Sequence, residues 1–235
     1  MIQIENIKIK NFNKAKPQKN LKSLLNKLIE EDNHIIKSLK NTYKDSWDLK
    51  KIQKYKKLSN ITLIGMGGSI MGSKSIYSFL KNRIKKNFFF LDNFENNKIR
   101  NIKKKNKLNL IISKSGNTLE MLSNTFALNI IKKNSKNIIL ISEKKNNSLF
   151  LLSKKFNLFY VEHKSHIGGR YSVLSEVGLI PAFLMGINLS KLRSKILNCL
   201  SLNNKVLLKK SSINLANFMN SKKNNNLIFL NYSPE

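Results

Sequence analysis

"ITLIGMGGSIMGSKSIYSFLKNRI", residues 61–84, sets a short apolar run against a cluster of glycines and then a segment of helical length. A run that ends at Gly65, with Gly67 and Gly68 close behind, reads as a buried strand passing through a tight turn into a helix. The pattern recurs. Short apolar runs follow at "FFFLD" (88–92), "LNLIIS" (108–113), "NIILIS" (137–142) and "FNLFYV" (156–161), and "TLEMLSNTFALNIIKK" (118–133) is a second helical-length spacer. Near-continuous apolar strands separated by such spacers specify βαβ units around a buried parallel sheet, because crossover helices cover both faces of the sheet. The class expected is α/β.

The flanks read as helical. In "LKSLLNKLIEEDNHIIKSLKNTYK" (21–44), Leu21, Leu24, Leu25, Leu28 and Ile29 fall on one stripe, continued by Ile35, Ile36 and Leu39. Beyond residue 171, "YSVLSEVGLIPAFLMGIN", "SKLRSKILNCLSL" and "VLLKKSSINLANFMN" are helical in pattern, and "NLIFLN" (226–231) reads as a last strand. That strand has no partner element after it, so it is expected to begin a second, incomplete domain. The organisation expected is a helical segment over 1–57, an α/β domain over 58–202, and a linking helix with one strand over 203–235.

The 235 residues, 41% of them hydrophobic, suffice for one α/β domain with a real core, or for one domain and part of another. No run approaches the roughly 18 apolar residues of a membrane span, and "MIQIENIKIKNFNKAKPQKN" lacks the apolar centre of a secretory signal. A single cysteine, Cys199, excludes an internal disulfide and a cysteine metal cluster. The economical reading is a soluble cytoplasmic protein. A net charge of +31 invites a nucleic-acid role. The lysines, however, are scattered among Asn and Ile, as in "NIKKKNKLN", and are seldom interleaved with aromatics that could stack on bases. They read as a solvated surface whose field draws in anions, phosphorylated metabolites among them.

Three stretches look like parts of a site. In "LIGMGGSIMGSK" (63–74), glycines at the carboxyl end of a strand precede a helix, where free N–H groups attract anions. A P-loop is excluded because Ser73 separates Gly72 from Lys74, and the dinucleotide fingerprint matches Gly65 and Gly67 but has Ile70 in its third glycine position. Asp92 closes the second strand, where a ribose-binding acid would sit. A phosphate or sugar ligand is the functional reading, and a turn used for packing is the alternative. In "ISKSGNTLE" (112–120), Ser113, Ser115 and Thr118 offer hydroxyls, Gly116 permits a tight turn and Lys114 adds a charge. Such a nest suits a phosphate monoester; a helix cap with Glu120 in the first turn is the alternative.

The third stretch is "HIGGRYSVLSEVGL" (166–179). Only four of the 44 basic residues are arginines, and one of them, Arg170, follows Gly168 and Gly169 at the mouth of a helical pattern that Ser172 could cap. A planar, permanently charged fork on flexible backbone points to a site, with a structural ion pair as the alternative. Of the histidines, His34 reads as a surface residue, while His163 and His166 lie near the glycine pair without metal-ligand spacing.

Together the three stretches resemble the glucose-6-phosphate isomerase (phosphoglucose isomerase) family. "GMGGSIMG" is similar to its first sugar-binding loop, "SKSGNTLE" to its phosphate loop, and "SHIGGRYSVLSEVGLIPA" to the signature around its catalytic arginine, the most specific of the three. The resemblance covers roughly residues 55 to 235. It implies a sugar-isomerase (SIS) fold, a five-stranded parallel sheet between helices that occurs twice in a complete subunit. It implies reversible conversion of glucose 6-phosphate to fructose 6-phosphate through a cis-enediolate, in glycolysis and gluconeogenesis, without metal or organic cofactor. Ser113, Lys114, Ser115 and Thr118 would hold the phosphate, Gly68, Ser69 and Gly169 the sugar, and Arg170 would stabilise the enediolate. The family forms homodimers with shared active sites.

Two departures qualify the resemblance. Glu176 stands where the family has a small residue, which bears on local packing. The chain ends at "NYSPE", which corresponds to the start of the family's second domain, so the glutamate base, the ring-opening histidine and a further lysine are expected beyond it. The expectation is an N-terminal portion that carries the phosphate grip and the electrostatic catalyst without the base. The rival from another class is a regulatory SIS module that binds a sugar phosphate without turning it over.

Overall fold

A computed structural model describes residues 33–40, 42–94 and 107–199, together with the isolated positions 23, 24, 27, 30, 31, 212, 215, 216 and 219. Leu21, Leu25, Leu28 and Ile29 of the N-terminal stripe, and the strand expected over 226–231, lie outside the described residues; Leu24 is exposed. The first described helix, α1 (His34–Ser38), starts at Asn33, whose side chain accepts from the N–H of Ile35. Helix α2 (Leu49–Gln53) starts at Asp48 in the same way and runs on as a 3₁₀ turn.

Five strands follow: β1 (Asn60–Ile64), β2 (Asn87–Leu91), β3 (Lys107–Ile112), β4 (Ile138–Ser142) and β5 (Phe159–Glu162). They form one all-parallel sheet in the order β2-β1-β3-β4-β5. Between and after them lie α3 (Gly68–Leu80), α4 (Leu119–Ala127), α5 (Ser148–Phe156), α6 (Glu176–Leu184) and α7 (Leu189–Cys199).

The two-residue period of a strand sends alternate side chains to opposite faces, and both faces are buried. Ile61, Leu63, Leu110, Ile112, Ile139 and Ile141 pack with Ile70 of α3, Val177 and Ile180 of α6 and Ile52 of α2. Their neighbours Ile64, Ile111, Ile138 and Leu140 pack on the other side with Met121 of α4 and Leu149 of α5. This explains why the strands read as continuous apolar runs rather than as alternating ones.

Helix α6 is buried along its whole length. Pro181 inside it has no N–H to give the carbonyl of Val177, four residues earlier. The hydroxyl of Ser73 on α3 donates to that carbonyl instead, at 3.3 Å. An interior proline is thus accommodated by the neighbouring helix.

Two local expectations are corrected. Phe156 and Asn157 belong to α5 and its end, not to the fifth strand, which begins at Phe159. Asn157 takes a left-handed conformation (φ 49°) that stops the helix, so the run 156–161 joins a helix terminus to a strand. The helical pattern after residue 171 divides into a 3₁₀ turn (Gly169–Leu174) and α6. Ser175, not Ser172, caps α6, accepting from the N–H of Val177.

Candidate functional site

In the order β2-β1-β3-β4-β5 the chain leaves β1 toward one edge and returns on its other side at β3. The crevice beyond the carboxyl ends of β1 and β3 is therefore the switch point at which open α/β sheets bind ligands. Both loops singled out by their sequence open there: the glycine turn Gly65–Ser69 after β1 and Ser113–Thr118 after β3.

The three hydroxyls of the second loop converge. Ser113 Oγ and Thr118 Oγ1 are 2.8 Å apart, and Ser115 Oγ lies 3.4 Å from each. Ser113 also accepts from the N–H of Gly116, and Ser115 from that of Asn117. Thr118 stands at the N-cap position of α4 but makes no capping bond, so its hydroxyl goes to the serines. Asn147 at the start of α5 supports the loop from beneath, capping α5 through Phe150 N–H and donating to Glu143 O at 2.8 Å.

Lys114 is turned elsewhere. Its backbone belongs to the hydroxyl loop, but its ammonium donates to the carbonyls of Ser165 (2.8 Å) and Ile167 (3.1 Å), in the segment leading to Arg170. Glu143 lies 3.5 Å from the same ammonium. Burial pushes the Glu143 carboxyl up, but Lys145 at 2.5 Å and Lys114 outweigh it and hold the group below its ordinary range.

The arginine segment rests on the glycine turn. A Cβ at Gly68 would lie 2.3 Å from the carbonyl oxygen of Gly169, so the two backbones touch. The Ser172 hydroxyl, expected to cap a helix, instead donates to both Gly169 O (2.7 Å) and Gly68 O (3.1 Å). Ser69, half-buried, opens the first turn of α3. Arg170 is exposed and has no hydrogen bond or ion pair among the described residues, so no described acid partners it structurally.

Glu176 shows how its departure is accommodated. Fully buried in the first turn of α6, it pairs through Oε1 with Nδ1 of the buried His163 and accepts the backbone N–H of Lys164 at 3.1 Å. Its Oε2 has no hydrogen-bond partner among the described residues. The histidines lie close together: the ring of His34 is 5.1 Å from that of His166, whose pKa is lowered by desolvation, by His34 and by Lys164, with Glu176 opposing. Asp92, weighed as a ribose-binding acid, is paired with Lys74 at 3.1 Å. Among the described residues, no group of three or more His, Cys, Asp or Glu is arranged to hold a metal, and no helix is long and apolar enough to cross a membrane.

The pairs made by Lys114 and Glu176 follow no sequence motif. The one signal available was Glu176 itself, an acid in an otherwise apolar helix thirteen residues after His163.

The profile of the phosphoglucose isomerase family matches residues 16–197. The chain is 33% identical over 200 residues to the glucose-6-phosphate isomerase of Methanocaldococcus jannaschii, a match covering 81% of this chain and 48% of that protein. It is 38% identical over 141 residues to the glucose-6-phosphate isomerase of Borreliella afzelii, covering 53% of this chain and 26% of that one. The chain thus spans about half or less of these relatives. Among solved structures, a hypothetical protein of Thermus thermophilus superposes with a TM-score of 0.65 at 22% identity, over 85% of this chain and 51% of that one. At 22% identity that likeness establishes the fold alone.

Proposed function

The chain belongs to the phosphoglucose isomerase family, and on that premise we propose that it serves the reversible isomerisation of glucose 6-phosphate and fructose 6-phosphate. The observation that carries the reading is the convergence of three hydroxyls at the switch point, next to a loop that presents an arginine unpaired among the described residues. Ser113, Ser115 and Thr118, with the backbone around Lys114, hold the phosphate. Gly68, Ser69 and Gly169 line the sugar. The C2 proton of the open-chain aldose leaves to a base, its electron pair forms the C1–C2 double bond, and the carbonyl oxygen gains the negative charge. Arg170 faces that charge, which exists only between the two proton transfers. The O2 hydroxyl proton passes to O1, which moves the enediolate charge to O2; the C1–C2 electron pair then takes up the proton at C1, and O2 becomes the carbonyl oxygen.

Two acids beside this machinery are committed: Glu143 to two lysines, Glu176 to His163. We assign the base to a carboxylate outside the described residues. We further propose that residues 58–202 form the first sugar-isomerase domain, after a helical segment over 1–57 and before the start of a second domain at 203–235. A cytoplasmic homodimer that needs no cofactor and serves gluconeogenesis as well as glycolysis completes the reading.

The test is binding. Calorimetry on the folded chain should find affinity for 6-phosphosugars and none for free glucose, and Ser113→Ala with Thr118→Ala should abolish it. Affinity that survives the double substitution would remove the hydroxyl cluster from the site.

A further inference from the structure

Arg170 is useful to an enediolate only if it is held in one place, yet it is exposed and its side chain is unpaired among the described residues. What holds it must act on the segment that carries it, His163 to Gly169. That segment leaves the end of β5 and has no regular secondary structure until its last residue enters the 3₁₀ turn. Two charged side chains from elsewhere grip it. Glu176 takes its first two residues, through the ring of His163 and the N–H of Lys164. Lys114 takes the middle, through the carbonyls of Ser165 and Ile167.

We propose that Lys114 and Glu176 are positioning residues, which together fix the His163–Gly169 segment so that Arg170 stands in register with the hydroxyl cluster; the proposal rests on the isomerase reading of the site. The Lys114 ammonium is already surrounded by acceptors. An ammonium has three N–H donors, and three acceptors surround this one: two carbonyls of one loop and the Glu143 carboxylate. No donor is left for a phosphate. Because the Lys114 backbone lies between Ser113 and Ser115, its side chain is a tie from the phosphate loop to the arginine loop, across 51 and 53 residues of sequence.

Glu176, a carboxylate with no solvent exposure and one oxygen unpartnered among the described residues, is expensive to bury. Its other oxygen is fully used on the loop, binding a ring and a backbone N–H that would otherwise be buried against an apolar helix. The same position filled by a small apolar residue would bury no charge and would leave the loop ungripped at His163.

Hydrogen exchange on the unliganded chain tests the proposal without relying on catalysis. In Lys114→Met and in Glu176→Gln, amides of residues 163–170 should exchange at least about tenfold faster, the scale set by losing hydrogen bonds to a charged group. The strand amides of β3 and β4 serve as the control for folding. Lys114→Arg, whose guanidinium can bridge the same carbonyls, should restore most of the protection. By calorimetry, glucose 6-phosphate should bind Lys114→Met within about threefold of the unsubstituted chain, whereas a phosphate ligand would lose about tenfold or more. In the active enzyme the same variant should lower kcat and leave KM in place. Unchanged loop exchange in Lys114→Met overturns the proposal, as does a tenfold loss of glucose 6-phosphate affinity. If the unsubstituted chain binds no 6-phosphosugar, the isomerase reading fails while the exchange result still decides whether the loop is tied. Should Glu176→Gln lose its strand protection, Glu176→Asp replaces it, and faster loop exchange over an intact sheet is again the result required.

Discussion

Gly68→Ala places one methyl group where the glycine turn and the arginine loop touch. Its Cβ would stand 2.3 Å from the oxygen, 2.4 Å from the carbonyl carbon and 2.9 Å from the Cα of Gly169, all of them backbone atoms. Comfortable separations between non-bonded carbons are about 3.5 Å or more, so one loop must retreat by about 1 Å. No flexible side chain is available to yield in its place. The Ser172 hydroxyl, bonded to both loops at 2.7 and 3.1 Å, opposes the retreat. Two effects follow, and they are separable. Overpacking lowers stability by about 1–3 kcal/mol, read from the shift of the urea midpoint at constant m. A displacement of Arg170 on the order of 1 Å lowers kcat by about a hundredfold, read in a coupled assay on the active enzyme, with phosphate-ester affinity preserved because the hydroxyl cluster is on another loop. Gly67→Ala is the matched control. Among the described residues nothing lies within 4 Å of its Cβ, but its backbone (φ 53°, ψ −124°) is one that side-chain-bearing residues adopt only with strain. It should lose about 1–3 kcal/mol of stability without wedging the loops apart. A folded Gly68→Ala enzyme with kcat within about threefold of the unsubstituted protein would refute the claim that this contact sets the arginine.

Other expectations are more local. Arg170→Lys in the active enzyme should keep the fold and KM but lower kcat by about a hundredfold or more, since a hydrated point charge replaces a planar donor; a raised KM at constant kcat would make Arg170 a ground-state ligand. Ser73→Ala should cost about 1–3 kcal/mol in urea unfolding, because it removes the side-chain donor to the Val177 carbonyl that Pro181 cannot serve. An unchanged midpoint would mean that another group fills the role. His34→Gln should raise the pKa of His166 toward its ordinary 6.5, as followed by imidazole chemical shifts, because one of the groups lowering it is gone. The His166 pKa in the folded chain lies below the unfolded value, so the unfolded chain binds more protons near that pH. This contribution to stability is present above about pH 6.5 and fades as pH falls. His34→Gln should therefore flatten the acid limb of the stability profile; a lower His166 titration midpoint in the variant would contradict the ring contact.

Much of this architecture was legible in the residues because it follows from local rules. Four of the five strands lie within a residue of where their apolar runs place them, and the glycine turn does end a strand and open a helix. What could not be read were destinations. Phe156 is as apolar as Phe159, and only the left-handed Asn157 between them separates helix from strand. Ser172 and Ser175 are equally good caps by composition; the approach of Gly68 drew one of them away. Lys114 sits among hydroxyls in the sequence and donates across to a loop some fifty residues on. Such choices are made by the meeting of two loops, and no window along the chain contains both.

The burial of α6 also bears on the order of events during synthesis. Ile61, Leu63, Leu110, Ile112, Ile139 and Ile141 present one face of the sheet, and Val177, Ile180, Phe183 and Leu184 help to close it. When all five strands have left the ribosome, that face is still without α6. Until residues 176–184 follow, a nearly complete parallel sheet carries an open apolar surface, which makes a nascent chain prone to association. Helix α6 is poorly suited to wait alone, being apolar on every side beyond Glu176 and interrupted by Pro181, whose vacated carbonyl partner is served from α3. Chaperone demand on this chain should therefore be greatest over a short stretch of elongation, between the emergence of β5 and that of Leu184.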